Sequence, residues 1–515
     1  MKRTAILICL AAAAARLLTG CAPQEAGNQA SGASASLSAL QYEIENIAVD
    51  FSSMWYFRKI EEQTGVHVDF NEVRDSEWSS SVNLAFAKGK MPDLILRGSL
   101  DIEEYGVTRH LLVPLDEYIN KGFLPNYASR MDEAGLREQL TASDGHIYQL
   151  GFLIFQDVNT NGHFFINMKW LDRLGLPVPE TTEELTEVLR HFRNDDPNGN
   201  GIQDEIPLEF TFDDNTTGIY NLFSFFGLPL NEDYVYLDEK GNVHFAPSED
   251  SFFEAAEWLH RMYAEGLLDI DFISQGSSIW AAKVNEGNTG MFSYWRLQNT
   301  ALNPETAADY GIMLPVHAEG KKACLPRNMD IIEFGAALTT DNRDIEASLR
   351  WLDAQFETEN MLVSQNGPVG DTLVKREDGR YEVSYVPPDN ELYKSVPVIC
   401  GQFFAPADYY ASVYVPAAHR QEKAGYCKLY GEAGVLEPVS AKILTTVAPK
   451  TTDQSAETSR LKAKLKSLVD AEIVAMVTQG VTAERREAFL KELEENGSRE
   501  YRRIYQQIYD RWEEE

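Results

Sequence analysis

Apolar positions alternate along Ile44–Phe51 (IENIAVDF), the spacing of a strand, and Met54–Thr64 follows as a helix that Gly65 can end. VHVDFNEV (66–73) alternates again, Ser79–Lys88 reads as a helix closed by Gly89, and MPDLIL (91–96) is a short buried strand. Strand, helix, strand, helix, strand at this spacing predicts a parallel sheet with crossover helices. Farther on, SDGHIYQLGF (143–152) places an Asp144-Gly145 turn between two extended runs. Then FFINMKWLDRLGLPVPETTEEL (164–185) gives a strand, a helix and a Pro-rich turn into the next helix. In that helix Leu185, Val188, Leu189 and Phe192 recur at helical spacing, with Thr181 or Thr182 as N-cap and an acid three residues on. IPLEFTF (206–212) alternates as a strand.

Between that helix and that strand lies NDDPNGNGIQDEIP (194–207), whose residue types make chemical sense as a set. Asp196, Asn198 and Asn200 place oxygens at alternate positions, Gly201 permits a sharp turn, and Asp204 and Glu205 close the run. With the carbonyl of Ile202, this is a donor pattern that can wrap Ca²⁺, which takes roughly 6–8 oxygens. The match to an EF-hand is incomplete, because Pro207 stands where the bidentate glutamate belongs, so Asp204 and Glu205 must complete the shell. The alternative is an Asn-Gly turn with solvated acids. Either way the role is structural, a brace at a helix-to-strand junction, since nothing beside the loop points to a metal-activated water.

A formal charge of −34 over 515 residues, 44% of them hydrophobic, gives ample core and argues against nucleic acid or an anionic membrane surface as the main partner. At the amino terminus, MKR, the apolar run Thr4–Ala15 and Leu18-Thr19-Gly20-Cys21 have the layout of a lipoprotein signal peptide over 1–20. Cleavage before Cys21 would leave its thiol lipidated and the chain outside the cytoplasmic membrane. The apolar run falls well short of the ~20 residues a spanning helix needs. Residues 21–42, small and polar, read as a flexible tether. Cys324, Cys400 and Cys427 form no CxxC or zinc spacing.

SVNLAFAKGKMPDLIL, DGHIYQLGF, FINMKWLDRLGLPVPETTEELTEVLRHFRNDDPNGNGIQDEIPL and the closing ENGSREYRRIYQQIYDRWEE together resemble the family-one extracellular solute-binding lipoproteins. Within that group they are most similar to long Gram-positive lipoproteins related to alginate-oligosaccharide-binding proteins. The resemblance spans essentially the whole mature chain. It implies an α/β, two-lobed, periplasmic-binding-protein-like fold of the second type, with ligand between the lobes and extra C-terminal helices. The lobes would comprise 43–152 with 291–335, and 153–290 with 336–515, crossing near Gly151–Phe165, Gly290–Trp295 and Phe334–Thr340. It also implies calcium on Asp196, Asn198, Asn200, Ile202, Asp204 and Glu205. The implied role is the substrate-binding component of an ATP-binding-cassette importer, a monomer that presents an oligosaccharide to membrane permease subunits.

Sugar rings pack their C–H faces on aromatics and offer hydroxyls to a few placed polar groups. GNTGMFSYW (287–295) is a glycine turn into an apolar strand that delivers Tyr294 and Trp295. Trp55 follows the first strand and Arg97 the third, at the carboxyl ends where open α/β sheets collect ligands. Trp280, Phe404, Tyr409 and Tyr410 stand in loop-like stretches and complete the candidates. Trp170, Trp258, Trp351 and Trp512 have helical apolar partners and read as core. No HExxH, GxSxG, Walker loop or paired-cysteine motif occurs, so the expectation is a binder rather than an enzyme. A glycan-degrading enzyme and a sugar sensor or adhesion module are the alternatives.

Overall fold

The first sheet begins inside the stretch whose composition reads as tether. The computed structural model describes residues 35–514 except 44–49, 134–136, 155–158, 161, 213, 298–301, 329–330, 385–406, 416–417 and most of 439–449. The signal segment, Cys21, Cys400, Phe404 and the strand expected over 44–49 therefore lie outside the described residues. β1 is Ala35–Glu43, which replaces the expected tether over 35–42. It pairs in parallel with all of β2 (Val66–Arg74) and with β3 (Leu94–Leu96). The reason is steric and tertiary: small Ser36, Ser38 and Ala39 beside the buried Leu37, Leu40 and Gln41 make a narrow strand that fits between two neighbours. Ser38 also bonds Asp93 through its amide (2.7 Å) and its hydroxyl (2.8 Å).

The helix Trp55–Thr64 ends as expected on Gly65, whose φ of 68° is the left-handed region and whose amide bonds Glu61 O at 2.7 Å. The helix Asp75–Ala87 begins earlier than its apolar spacing predicts. β4 (Leu150–Ile154) and, much later in the chain, β11 (Ile331–Leu338) complete a five-stranded sheet in the order β2-β1-β3-β11-β4. β11 runs antiparallel to both its neighbours.

A second sheet, β10-β5-β9-β6, uses β5 (His163–Asn167), β6 (Ile206–Leu208), β9 (Thr289–Tyr294) and β10 (Tyr310–Met313). β7 (Val235–Leu237) and β8 (Val243–Phe245) form a separate hairpin. A small three-stranded sheet of β12 (Leu373–Lys375), β13 (Tyr381–Val383) and β14 (Tyr414–Val415) joins the core of the first lobe. The helices Thr452–Gln479, Ala483–Glu495 and Ser498–Glu514 pack on the second lobe, burying Leu465, Val469, Ile473, Phe489, Tyr501 and Ile508 in its core.

The chain thus leaves the first sheet after Ile154 and returns to it at Ile331, and after β14 the helix Ala418–Ala433 packs Tyr430 into the core of the second lobe. This corrects the expected division. β9 and β10, expected in the first lobe, belong to the second sheet; β11, which the expected boundary divides, belongs wholly to the first sheet, and β12 to β14, expected in the second lobe, pack on the first core. The physical reason is pairing: β9 alternates with β5 and β6 as the centre of its sheet, and no local signal encodes that choice of partner. Two crossings touch, with Asn328 N donating to Asn159 O at 2.9 Å. Among the described residues, no helix is long and apolar enough to cross a membrane.

Candidate functional site

At the carboxyl end of β3 the chain turns through Arg97 (φ 60°) and Gly98 (φ 70°). A Cβ at Gly98 would come within 2.4 Å of the Trp78 ring, so only glycine allows this approach. Trp78 donates its indole N–H to Ser99 O at 2.7 Å and fixes the turn. The arrangement sets Ser99 and Asp101 beside Asn83, on one wall of a cavity of about 630 Å³. The opposite wall, from the second lobe, carries Lys450, Ser455 and Ser459. Neither Trp78 nor these C-terminal residues is marked in the sequence, because their role depends on contacts between segments hundreds of residues apart.

A smaller cavity of about 80 Å³ opens on the second lobe beside the crossings, lined by Thr160, Asp214, Asn221, Asp233 and Asn328, among others. Asp214 accepts the amides of Thr216 (2.7 Å) and Thr217 (2.8 Å), and the Tyr220 and Tyr234 hydroxyls both reach Asp470. Buried Tyr505 touches one lining residue of each: its hydroxyl donates to Asp233 at 3.5 Å, and the Lys450 ammonium sits 5.1 Å from its ring centre. Each cavity is rich in hydroxyls, carboxamides and carboxylates and carries one tyrosine, Tyr105 in the larger and Tyr220 in the smaller.

The structure separates the aromatic candidates. Trp295 stands 44% exposed beyond the end of β9, with the Lys423 ammonium 5.8 Å from its ring. Its strand neighbour Ser293 accepts from Asn221 at 3.2 Å, which ties this strand end to the smaller cavity. Beneath lies buried His163, facing the Trp295 carbonyl; burial holds its pKa down at about 3, so the ring is neutral. Tyr294 is half-buried, its ring 4.9 Å from that of Trp280 and edge-on to Trp295.

Trp280 does not stand in a loop. It lies in the helix Ser277–Asn285, 1% exposed, donating its indole N–H to Glu209 O at 3.2 Å. It is core, buried because its helix packs on β9; Ser277 and Lys283, three residues to either side of it, are polar, which hid the apolar face.

Trp55 is half-buried at the start of its helix, edge-on to Tyr56. Arg97 is buried, its guanidinium 3.4 Å above the Phe152 ring. Tyr409 lies in the helix Ala407–Val413 rather than a loop, and its hydroxyl accepts from Arg130 at 2.9 Å and bonds Thr358. These contacts tie it to the first core and away from both cavities.

The acidic loop follows a helix with a full capping box, Thr181 with Glu184. Asp196 (φ 47°) accepts the amides of Gly199 at 2.9 Å and Gly201 at 3.1 Å, while the carboxamides of Asn198 and Asn200 donate to Asp204 at 3.1 Å. Glu205 is 4% exposed, and its carboxylate oxygens make no well-formed hydrogen bond, the backbone amides of Glu205 and Asn198 being the donors that approach them. Burial, then the charges of Asp204 and Asp196, raise its pKa. A buried carboxylate with no well-formed hydrogen bond beside two further acids fits a cation. Among the described residues, no three Asp, Glu, His or Cys side chains form a group that could hold a metal ion, and the Asn198 and Asn200 carboxamides turn their nitrogens toward Asp204.

Residues 33–361 match the family model described as bacterial extracellular solute-binding protein. The chain is 30% identical over 326 residues to the fructooligosaccharide ABC transporter substrate-binding protein FusA of Streptococcus pneumoniae serotype 4 (strain ATCC BAA-334 / TIGR4), covering 61% of this chain and 60% of the relative. It is 26% identical over 289 residues to lipoprotein LipO of Bacillus subtilis (strain 168), covering 54% of each. The chain thus spans about three-fifths or less of the length of these curated relatives. Its fold resembles that of S. pneumoniae FusA in complex with kestose, with a TM-score of 0.79 and 22% identity over 93% of this chain and 99% of that one. A FusA EF-hand mutant superposes equally well, at a TM-score of 0.78, 21% identity and the same coverage. Alginate-binding protein AlgQ2 without calcium ion is a more distant neighbour, at a TM-score of 0.68 and 17% identity over 93% of this chain and 98% of that one.

Proposed function

Because the chain belongs to the bacterial extracellular solute-binding protein family, we propose that it binds an oligosaccharide between its two lobes and delivers it to an ATP-binding-cassette importer. The observation that carries this reading is the larger cavity, where walls from both lobes bring hydroxyl, carboxamide and carboxylate groups together, with Trp295 exposed at the strand end tied to the smaller one. FusA's fructooligosaccharides make short fructans the first ligands to test. Ligand bridging the two walls would draw the lobes together by hinge motion at the crossings, and the closed form would engage the permease.

In this reading Trp295 and Tyr294 supply the stacking face, and Trp55 and Arg97 shape the first-lobe rim. Cys21 carries the lipid that holds a monomeric chain to the outer face of the cell membrane, as the LipO relationship suggests. The loop Asp196–Glu205 holds a structural Ca²⁺ through Asp196, Asn198, Asn200, the Ile202 carbonyl, Asp204 and Glu205. Support for the ion comes from the Glu205 carboxylate, which makes no well-formed hydrogen bond, and from neighbours described by an EF-hand and by calcium.

A thermal-shift screen over neutral and charged oligosaccharides tests the function, with the sugars analysed by chromatography afterwards. A ligand at about 100 times its dissociation constant raises stability by roughly 2.7 kcal/mol. Stabilisation with the sugar recovered intact supports a binder. Cleaved sugar would assign an enzyme instead.

A further inference from the structure

We propose that the cleft selects uncharged oligosaccharides and rejects uronate-rich ones, an inference that rests on the oligosaccharide reading above and narrows its substrate class. The charge on the walls carries it. Asp101 and Glu103 line the larger cavity against one cation, Lys450. Asp214, Glu232, Asp233 and Glu437 line the smaller one against Arg327.

The cations are already engaged. Arg327 donates its backbone amide to the Glu437 carboxylate at 3.0 Å and its guanidinium Nε to the Glu437 carbonyl at 2.7 Å. Lys450 sits over the Tyr505 ring, and burial lowers its pKa. Lys462 adds a third positive group, but it pairs with Asp233 at 2.9 Å and Glu232 at 3.5 Å. Arg97, the nearest cation on the β3 turn, is buried against Phe152. The Asp101 carboxylate accepts the Glu104 amide (2.8 Å), and the Glu103 carboxylate accepts the Ser143 amide (2.9 Å) and hydroxyl (2.5 Å), so the donors these bonds bring to both are uncharged.

A neutral sugar meets such walls well, since its hydroxyls donate to carboxylates in charge-assisted hydrogen bonds. A uronate brings one further anion per ring. At ~10 Å and an effective dielectric of ~20, each like-charge pair weakens binding on the order of tenfold. The chain's net −34 opposes approach of a polyanion over longer distances as well. The fit is therefore to oligomers of neutral sugars, unlike the alginate of the more distant AlgQ2 fold neighbour.

Calorimetric titration of the full chain tests this, with kestose, nystose, maltotriose and galactotriose set beside trigalacturonate and alginate trimers at low and high salt. The tightest ligand should be neutral. Any uronate should bind at least tenfold more weakly at low salt, and the gap should narrow as salt screens the walls. The double variant Asp101→Asn/Glu103→Gln should raise uronate affinity severalfold. A uronate that binds as tightly as the best neutral sugar would overturn the charge inference and leave the oligosaccharide reading standing. Binding of no sugar of either charge would overturn the reading itself, and the inference with it.

Discussion

Replacing Glu205 with Gln keeps the shape of the one acid that the loop buries without a well-formed hydrogen bond, and removes its charge. With calcium chelated, the parent must either bury that charge beside Asp204 and Asp196 or bind a proton, which is why the group's pKa is raised. A carboxylate with a raised pKa contributes stability at low pH that is lost as pH climbs through its folded pKa. The chelated parent should therefore lose stability from about pH 4.5 upward, and Glu205→Gln should not. Calcium relieves the repulsion. At about 100 times its dissociation constant it adds roughly 2.7 kcal/mol, and at about 2–4 °C per kcal/mol for a domain of this size the melting temperature should rise by about 5–11 °C. Glu205→Gln should lose most of that rise yet melt at or above the parent in chelator at neutral pH. Magnesium should substitute poorly, because it prefers a compact octahedron and keeps its waters. Differential scanning calorimetry with EDTA, calcium and magnesium in parallel reads all three effects. Coincident parent curves with and without calcium, or a full calcium shift in Glu205→Gln, would refute the reasoning.

Two tryptophans expected in one cleft should behave oppositely. Trp295→Ala should weaken sugar binding by about 1–3 kcal/mol with little change in apo melting temperature, whereas Trp280→Ala should cost about 3–5 kcal/mol of stability; calorimetry on both variants checks the split. Glu209, fully buried, has its pKa pushed up to about 9 by burial and then by Asp269. It should thus bind a proton on folding and make stability fall between about pH 5 and 9, and urea unfolding across that range should show the slope flattened in Glu209→Gln. Cys21→Ser should move the chain out of the mature, membrane-associated lipoprotein fraction; unchanged fractionation would remove the lipid anchor from the account.

Much of the scaffold was legible because its signals are local. Gly65 and Gly175 end their helices in the left-handed region, and the Thr181 box starts the next. β1 was misread because it is built from the same small residues as a linker, and its nine-residue pairing with β2 is set by a partner over twenty residues away. The lobe boundaries failed for the same reason: whether Thr289–Tyr294 joins one sheet or the other depends on long-range pairing that period and composition do not encode. The site divides likewise. Trp295 is exposed at a strand end, as its glycine-turn-strand context predicts, while Trp280 became core through helix packing. Trp78, Lys450 and Ser459 carry no sequence signature, since a cleft wall made by two lobes exists only after both have folded.

Isothermal titration of the purified chain with kestose, followed by chromatography of the recovered sugar, tests the central claim most directly. A saturable one-site isotherm with kestose returned intact, weakened in Trp295→Ala, is the expected result. Absence of binding to kestose and to every other oligosaccharide tried, or recovery of hydrolysed sugar, would contradict it.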